Sequence, residues 1–216
     1  MRGWYPVALS QDIEPGTSAG TRIEGKEIVV WRDEGGAIHA WEDRCPHRGM
    51  KLSFGFVRGD HIACLYHGWR YDTGGRCRYI PAHPDLEPPA TITVPTYRVA
   101  EAGGMVFARL DGEAVELPPD APATPVRSVF LFAAPQAVTA ALAERGARAA
   151  GPHVHAVVVD GLDARVGVQP VAEDRTALHL ALAGAAAPAP ARHAMAAWAA
   201  ALRLSIEAAS RKPEAA

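Results

Sequence analysis

Four residues have the types and spacing to bind metal as a set. Cys45 and His47 lie in one short stretch, Cys64 and His67 in another, with sixteen residues between His47 and Cys64. Thiolate is a soft ligand and imidazole a borderline one, so two of each can close a zinc site or hold an iron–sulfur cluster. In zinc fingers the cysteines usually form one pair and the histidines the other. Here each stretch supplies one of each. That distribution suits a two-iron cluster in which one iron takes both thiolates and the other both imidazoles. A zinc site, or merely packed thiols and core histidines, are the alternatives.

The residues around the four ligands narrow the choice. Cys45-Pro46-His47-Arg48-Gly49 and Cys64-Leu65-Tyr66-His67-Gly68-Trp69-Arg70-Tyr71-Asp72 closely resemble the two cluster loops of the Rieske family. The version is that of the Rieske non-haem iron oxygenases, which hydroxylate or demethylate small organic molecules. The resemblance implies one [2Fe–2S] cluster on Cys45, His47, Cys64 and His67, with Arg48, Gly49, Gly68 and Trp69 around it. Gly49 and Gly68 allow tight loops whose backbone N–H groups approach the sulfides. Two imidazoles in place of two thiolates remove negative charge, so Rieske potentials lie at roughly −150 to +300 mV, against about −400 mV for plant-type ferredoxins. The Rieske proteins of respiratory and photosynthetic complexes carry two further cysteines in these loops, joined by a disulfide. Met50 and Tyr66 stand at those places here, and Trp69 stands where those proteins have a serine. Fewer hydrogen bonds to the cluster predict a potential near the low end of the range.

A complete oxygenase subunit of this family also holds a mononuclear iron on two histidines and a carboxylate. The histidines beyond the Rieske-like region are His153, His155, His179 and His193, and none has the family's spacing. His153 and His155 are expected on one strand face, where Asp160 or Asp163 would complete an improvised site. Complete subunits of this kind are also much longer. The leading expectation is therefore a carrier of single electrons, fed by a reductase and emptied by an oxygenase or other acceptor, with no mononuclear iron of its own. Assembly with copies of itself as a homo-oligomer is a further expectation. The rivals are a compact oxygenase with an atypical site around His153, His155, His179 and Asp160, and a non-enzymatic redox-sensing or binding subunit.

The elements that must position these residues follow from pattern. Short strands separated by turn signals predict a mainly β Rieske domain over residues 1–112, with antiparallel sheets and two cluster loops. Prolines 118, 119, 122 and 125 place a stiff linker at 113–126. Residues 127–216 are expected to form a small α+β domain, reminiscent of a shortened helix-grip fold. Its strands are expected at 126–133, 153–160, 166–171 and 177–183, with helices from Pro135 to Gly151 and from Ala189 to Ser210. Met195, Trp198, Leu202 and Ile206 fall on one helical stripe and read as core. Arg58-Gly59-Asp60 reads as a hairpin turn. Cys77 reads as a packed strand residue, and His39, His61 and His83 as surface or outer residues, with His83 in a proline-rich segment over the cluster.

Composition excludes other classes. The net charge of −2 gives no attraction to nucleic acid. No run of 18 apolar residues is present for a membrane span, and Met1 to Pro6 has no signal-peptide core. Three cysteines, two of them assigned to the cluster, leave no disulfide framework, so the cytoplasm is the expected compartment.

Overall fold

The computed structural model describes residues 3–110, 116–117 and 119–210. The expected end of the first domain, at residue 112, lies outside the described residues. Among the described residues the strands form three antiparallel sheets, and no helix is long and apolar enough to cross a membrane.

The first domain contains β1 (Tyr5–Leu9), β2 (Thr17–Ile23), β3 (Lys26–Arg32), β4 (Ile38–Glu42), β5 (Phe56–Arg58), β6 (His61–Ala63), β7 (Arg70–Asp72), β8 (Cys77–Tyr79), β9 (Thr96–Ala102) and β10 (Met105–Arg109). Six of them make a base sheet in the order β1-β10-β9-β4-β3-β2, and β5-β6-β7-β8 make a smaller meander. The run Ile28-Val29-Val30-Trp31 in β3 is buried throughout, because both faces of the base sheet are covered. Ile28 and Val30 join the core with Tyr5, Val7 and Val106. Val29 and Trp31 point the other way, into a core shared with Trp41, Tyr71, Cys45 and Cys64. Alternation within one strand thus gives the metal-binding lobe its apolar floor. Ile92-Thr93-Val94 reads as a strand by composition, but forms only an isolated bridge from Thr93 to Arg76.

The second domain contains β11 (Ala123–Leu131), α1 (Pro135–Glu144), β12 (Arg148–Gly151), β13 (Val154–Val159), β14 (Leu162–Ala172), β15 (Arg175–Ala183) and α2 (Ala189–Ser210). Its sheet runs β11-β15-β14-β13-β12. Here the sequence reading needs corrections. The strand expected from 126 begins at Ala123, within the stretch assigned to the linker. Pro125 is tolerated because β11 is an edge strand, with a register shift between Pro125 and Arg127. The strand is not buried throughout: Phe130 is 59% exposed. The helix expected to reach Gly151 stops at Glu144. Gly146, at φ 78, lets its N–H reach the Ala143 carbonyl and that of Ala147 the Leu142 carbonyl, a paired-bond helix stop. The chain then returns as β12. The final helix spans the expected residues, with Met195, Leu202 and Ile206 buried and Trp198 packed beside them.

One face of the second sheet carries Val166, Val168, Leu178, Leu180 and Leu182 against both helices. The other face rests on the first domain. Gly167 lies there with no room for a Cβ, which would stand 2.9 Å from Pro6 and 3.0 Å from the Met105 sulfur. The β2–β3 turn also binds the second sheet: the N–H groups of Glu24 and Gly25 donate to the carbonyls of Pro170 and Val171.

Candidate metal centre

The two loops that carry the cysteine–histidine pairs have the same backbone design. In the first, the Cys45 N–H donates to the Met50 carbonyl at 2.8 Å and the Gly49 N–H to the Cys45 carbonyl at 2.8 Å. In the second, the Cys64 N–H donates to the Trp69 carbonyl at 2.9 Å and the Gly68 N–H to the Cys64 carbonyl at 2.9 Å. Each loop closes on its glycine with a left-handed φ, 74° at Gly49 and 69° at Gly68. The first loop leaves β4, and the second joins β6 to β7. Base sheet and meander thus fix one loop each.

The structure pairs the four predicted residues by type, thiol with thiol and imidazole with imidazole. Cys45 and Cys64 are 2% exposed and belong to the apolar floor. His47 is half-buried and His67 exposed, with their ring centroids 4.6 Å apart. The thiol edge faces inward and the imidazole edge faces solvent. Among the described residues, no three His, Cys, Asp or Glu side chains converge as a single metal ion requires. Two thiols in one place and two imidazoles in another suit a larger, two-metal group better than one tetrahedral zinc.

The two thiols face each other closely enough to interact. That contact is the largest cause lowering Cys45, to about 5; burial opposes it, and the Tyr71 hydroxyl and the backbone N–H groups of His47 and Arg48 assist. Cys64 is pushed up by the same contact, then by burial, against the N–H groups of Tyr66 and His67. The pair holds one negative charge readily, and a cation is needed to hold two. Tyr71 belongs to the second loop motif but is not among the expected site residues. It is fully buried, and its oxygen lies 3.0 Å from Cys45 Sγ. Burial first, then the Cys45 contact, raises its pKa, so the phenol keeps its proton and donates it to sulfur. The signal was the alternation in β7, with Arg70 and Asp72 turned outward around an inward Tyr71.

Trp69 lies flat on the His47 ring, with centroids 4.2 Å apart and planes 4° from parallel. It fixes the imidazole by stacking instead of hydrogen bonding. Arg48 contributes its backbone N–H to Cys45 while its side chain is exposed. Pro81 covers the second loop, 3.1 Å from where a Gly68 Cβ would be. His83 itself is exposed. Cys77 is buried beside Tyr71 as a strand residue. His39 bonds Asp33, and His61 bonds Arg78.

The improvised set in the second domain is dispersed. His153 precedes β13 at φ 55, which breaks the alternation that would align it with His155, and its ring stacks on Tyr5 at 4.4 Å. His155 is paired with Val166, on the helix-covered face. His179 is on the opposite face, with Nε2 at 2.9 Å from Gln169 Oε1 and Nδ1 at 2.9 Å from Ser128 Oγ. Asp160 is exposed in the β13–β14 turn, and His193 is exposed on α2.

The family model for the Rieske [2Fe-2S] domain matches residues 3–98. This part of the chain is a Rieske domain. Domains of this family hold one [2Fe–2S] cluster of Rieske type, and the inward thiols with their four backbone N–H groups and outward imidazoles fit that group. The chain is 38% identical over 122 residues to "Oxidoreductase NdmD" of Pseudomonas putida, covering 55% of this chain and 21% of that protein. It is 40% identical over 108 residues to the 4beta-methylsterol monooxygenase of Methylococcus capsulatus, covering 48% of this chain and 29% of that one. It thus spans less than a third of these relatives. The fold of the whole chain is similar to that of NdmA from Pseudomonas putida CBB5, with a TM-score of 0.76, 20% identity, and coverage of 99% of this chain and 82% of that chain.

Proposed function

We propose that this chain is the electron-transfer part of an oxygenase-type system, taking single electrons from a reductase and passing them to an oxygen-activating partner. Cys45 and Cys64 would hold one iron of the cluster and His47 and His67 the other. The cluster, when bound, supplies a one-electron redox centre. The chain's own residues do the rest. Tyr71 and the N–H groups of His47, Arg48, Tyr66 and His67 face the sulfurs and favour their negative charge. Trp69 holds the His47 ring, and the exposed His67 is the edge at which an electron enters or leaves.

The reading without a mononuclear iron is supported by what lines the second domain. The sheet face beneath its helices is filled by Val129, Leu131, Val157, Val166, Leu178 and their neighbours. Its buried histidine, His179, has both ring nitrogens engaged by Gln169 and Ser128. A reducing compartment such as the cytoplasm suits a chain with three free cysteines. Iron and acid-labile sulfide analysis tests the reading: two irons and two sulfides per chain are expected. A third iron would sink it and favour the compact oxygenase, a reading supported by similarity to NdmA over nearly the whole chain.

A further inference from the structure

A cleft of about 1070 Å³ opens at the seam where the β2–β3 turn of the Rieske domain meets the second domain, and no residue of the cluster loops lines it. Its walls are that turn, one side of α1 and the end of β14. The α1 residues that face it are Gln136, Thr139, Ala140 and Ala143, at helical spacing and turned away from the buried Val138 and Leu142. The cleft thus lies outside the core that the two helices cover. Val168, Pro170 and Ala172 supply an apolar floor. That size and an apolar lining with a few polar groups are those of a small-molecule site.

The polar groups converge and lack partners. Gln136, Thr139, His153 and Glu173 face the cleft with no hydrogen bond to another described residue. Glu24 faces it too and is fixed in place. The Tyr5 hydroxyl donates to Glu24 Oε1 at 3.1 Å, and the Glu24 N–H donates to the Pro170 carbonyl at 2.7 Å. The same Tyr5 ring carries His153, with centroids 4.4 Å apart. Glu24 and His153 also have left-handed φ values, 49° and 55°. Residues other than glycine rarely adopt that backbone, and such positions collect at ligand sites. The charge is one-sided. Glu24 and Glu173 form no ion pair among the described residues, and no Lys or Arg lines the cleft. Lys26, beside the turn, lies over the Tyr97 ring instead, at 4.9 Å. Burial holds His153 below its ordinary pKa despite the nearby Glu24 carboxylate, so its ring is neutral near pH 7.

We propose that this cleft binds a small organic cation, an amine on an apolar body, with its ammonium toward Glu24 and Glu173 and its apolar body on Val168, Pro170 and Ala140. An organic anion of the same shape would meet two carboxylates and no cation, and like charges repel. Both domains contribute to the cleft, so the amine binds only while they are docked and stabilises that arrangement. The site does not depend on the electron-carrier reading.

The test uses the full, cluster-loaded chain and two probes, tryptamine and indole-3-propionate, which share a ring and differ in charge. Isothermal titration calorimetry at pH 7 measures binding of each. Tryptamine is expected to bind one per chain, at least about tenfold more tightly than the propionate. Glu24→Gln keeps the side-chain size and removes the charge; it should weaken tryptamine binding by about fivefold or more. Ala140→Phe fills the cleft from the exposed side of α1 and should abolish binding. Asp163→Asn, an exposed carboxylate at the other end of β14, is the control and should leave binding unchanged. Tryptamine should also raise the unfolding temperature of the parent and leave that of Ala140→Phe where it was. If Ala140→Phe does not fold, the near-isosteric Glu24→Gln decides alone. No one-to-one binding of tryptamine, equal binding of the two probes, or binding that survives either cleft variant would overturn the proposal.

Discussion

At the scale of single residues, the site separates ligands from the groups that set their charge. Cys45 and Cys64 are buried, so the thiolates a cluster requires need compensation from nearby donors. The Tyr71 hydroxyl is the side-chain donor at Cys45, and its hydrogen bond is worth more to the more negative, reduced cluster. Tyr71→Phe removes that bond and keeps the ring in the apolar floor. The variant should retain the cluster, with its midpoint lowered by about 40 mV for a differential loss of about 1 kcal/mol. An EPR-monitored redox titration checks this, and an unchanged midpoint would refute the role. Cys45→Ser removes a ligand, and should abolish the visible spectrum and lower the thermal stability of the first domain, because cluster binding is coupled to folding. Retention of the spectrum would refute the ligand assignment. Trp69 in place of a hydrogen-bonding serine still predicts a midpoint near the low end of the Rieske range, with Tyr71 as the counterweight.

At the scale of elements, the two loops are equal in backbone design but unequal in surroundings. Both glycines have a left-handed φ, which costs an L-residue roughly 1–2 kcal/mol. A Gly68 Cβ would also press on the Pro81 ring at 3.1 Å, whereas a Gly49 Cβ would meet only the flexible Arg44 guanidinium at 3.5 Å. Gly68→Val should therefore reduce iron per chain more than Gly49→Val, by several-fold in purified protein; equal losses would show that Pro81 does not fix the second loop. The loops were legible in the sequence because their ligands, glycines and aromatics are local. The second domain was less so. Its Ala-rich stretch after Glu144 favours a helix by propensity, yet Gly146 ends α1 with paired bonds to Ala143 and Leu142. That glycine was a readable stop signal. The start of β11 at Ala123 was not, because only an edge position makes Pro125 acceptable, and edges are set by tertiary pairing. Tyr71 as a sulfur partner also required tertiary contact: sequence shows its alternation, but not that Cys45 lies opposite.

At the scale of the molecule, the second domain is held to the Rieske domain by a buried polar chain. Gln169 is fully buried and donates from Nε2 to Thr21 Oγ1 at 2.8 Å and to the Arg22 carbonyl at 2.7 Å. Its Oε1 is left as an acceptor, so His179 donates from Nε2, while the Ser128 hydroxyl lies 2.9 Å from His179 Nδ1 and donates to Asp12 Oδ2 at 3.2 Å. Burial lowers the pKa of His179 to about 4 and so keeps the ring neutral near pH 7. The unfolded chain would protonate this histidine near 6.5, and the folded chain resists until about 4. Stability from the neutral ring is therefore complete above about pH 6.5 and lost as pH falls through the window to about 4, by on the order of 3 kcal/mol. His179→Gln removes the titration. In urea unfolding at pH 7 and pH 4.5, the loss of stability on acidification should be smaller in the variant than in the parent. The acid sensitivity of the cluster is common to both proteins, so the difference between them isolates His179. Equal losses would mean that this histidine does not titrate with folding, and the seam would then owe its hold to apolar contacts such as Gly167 on Pro6 and Met105.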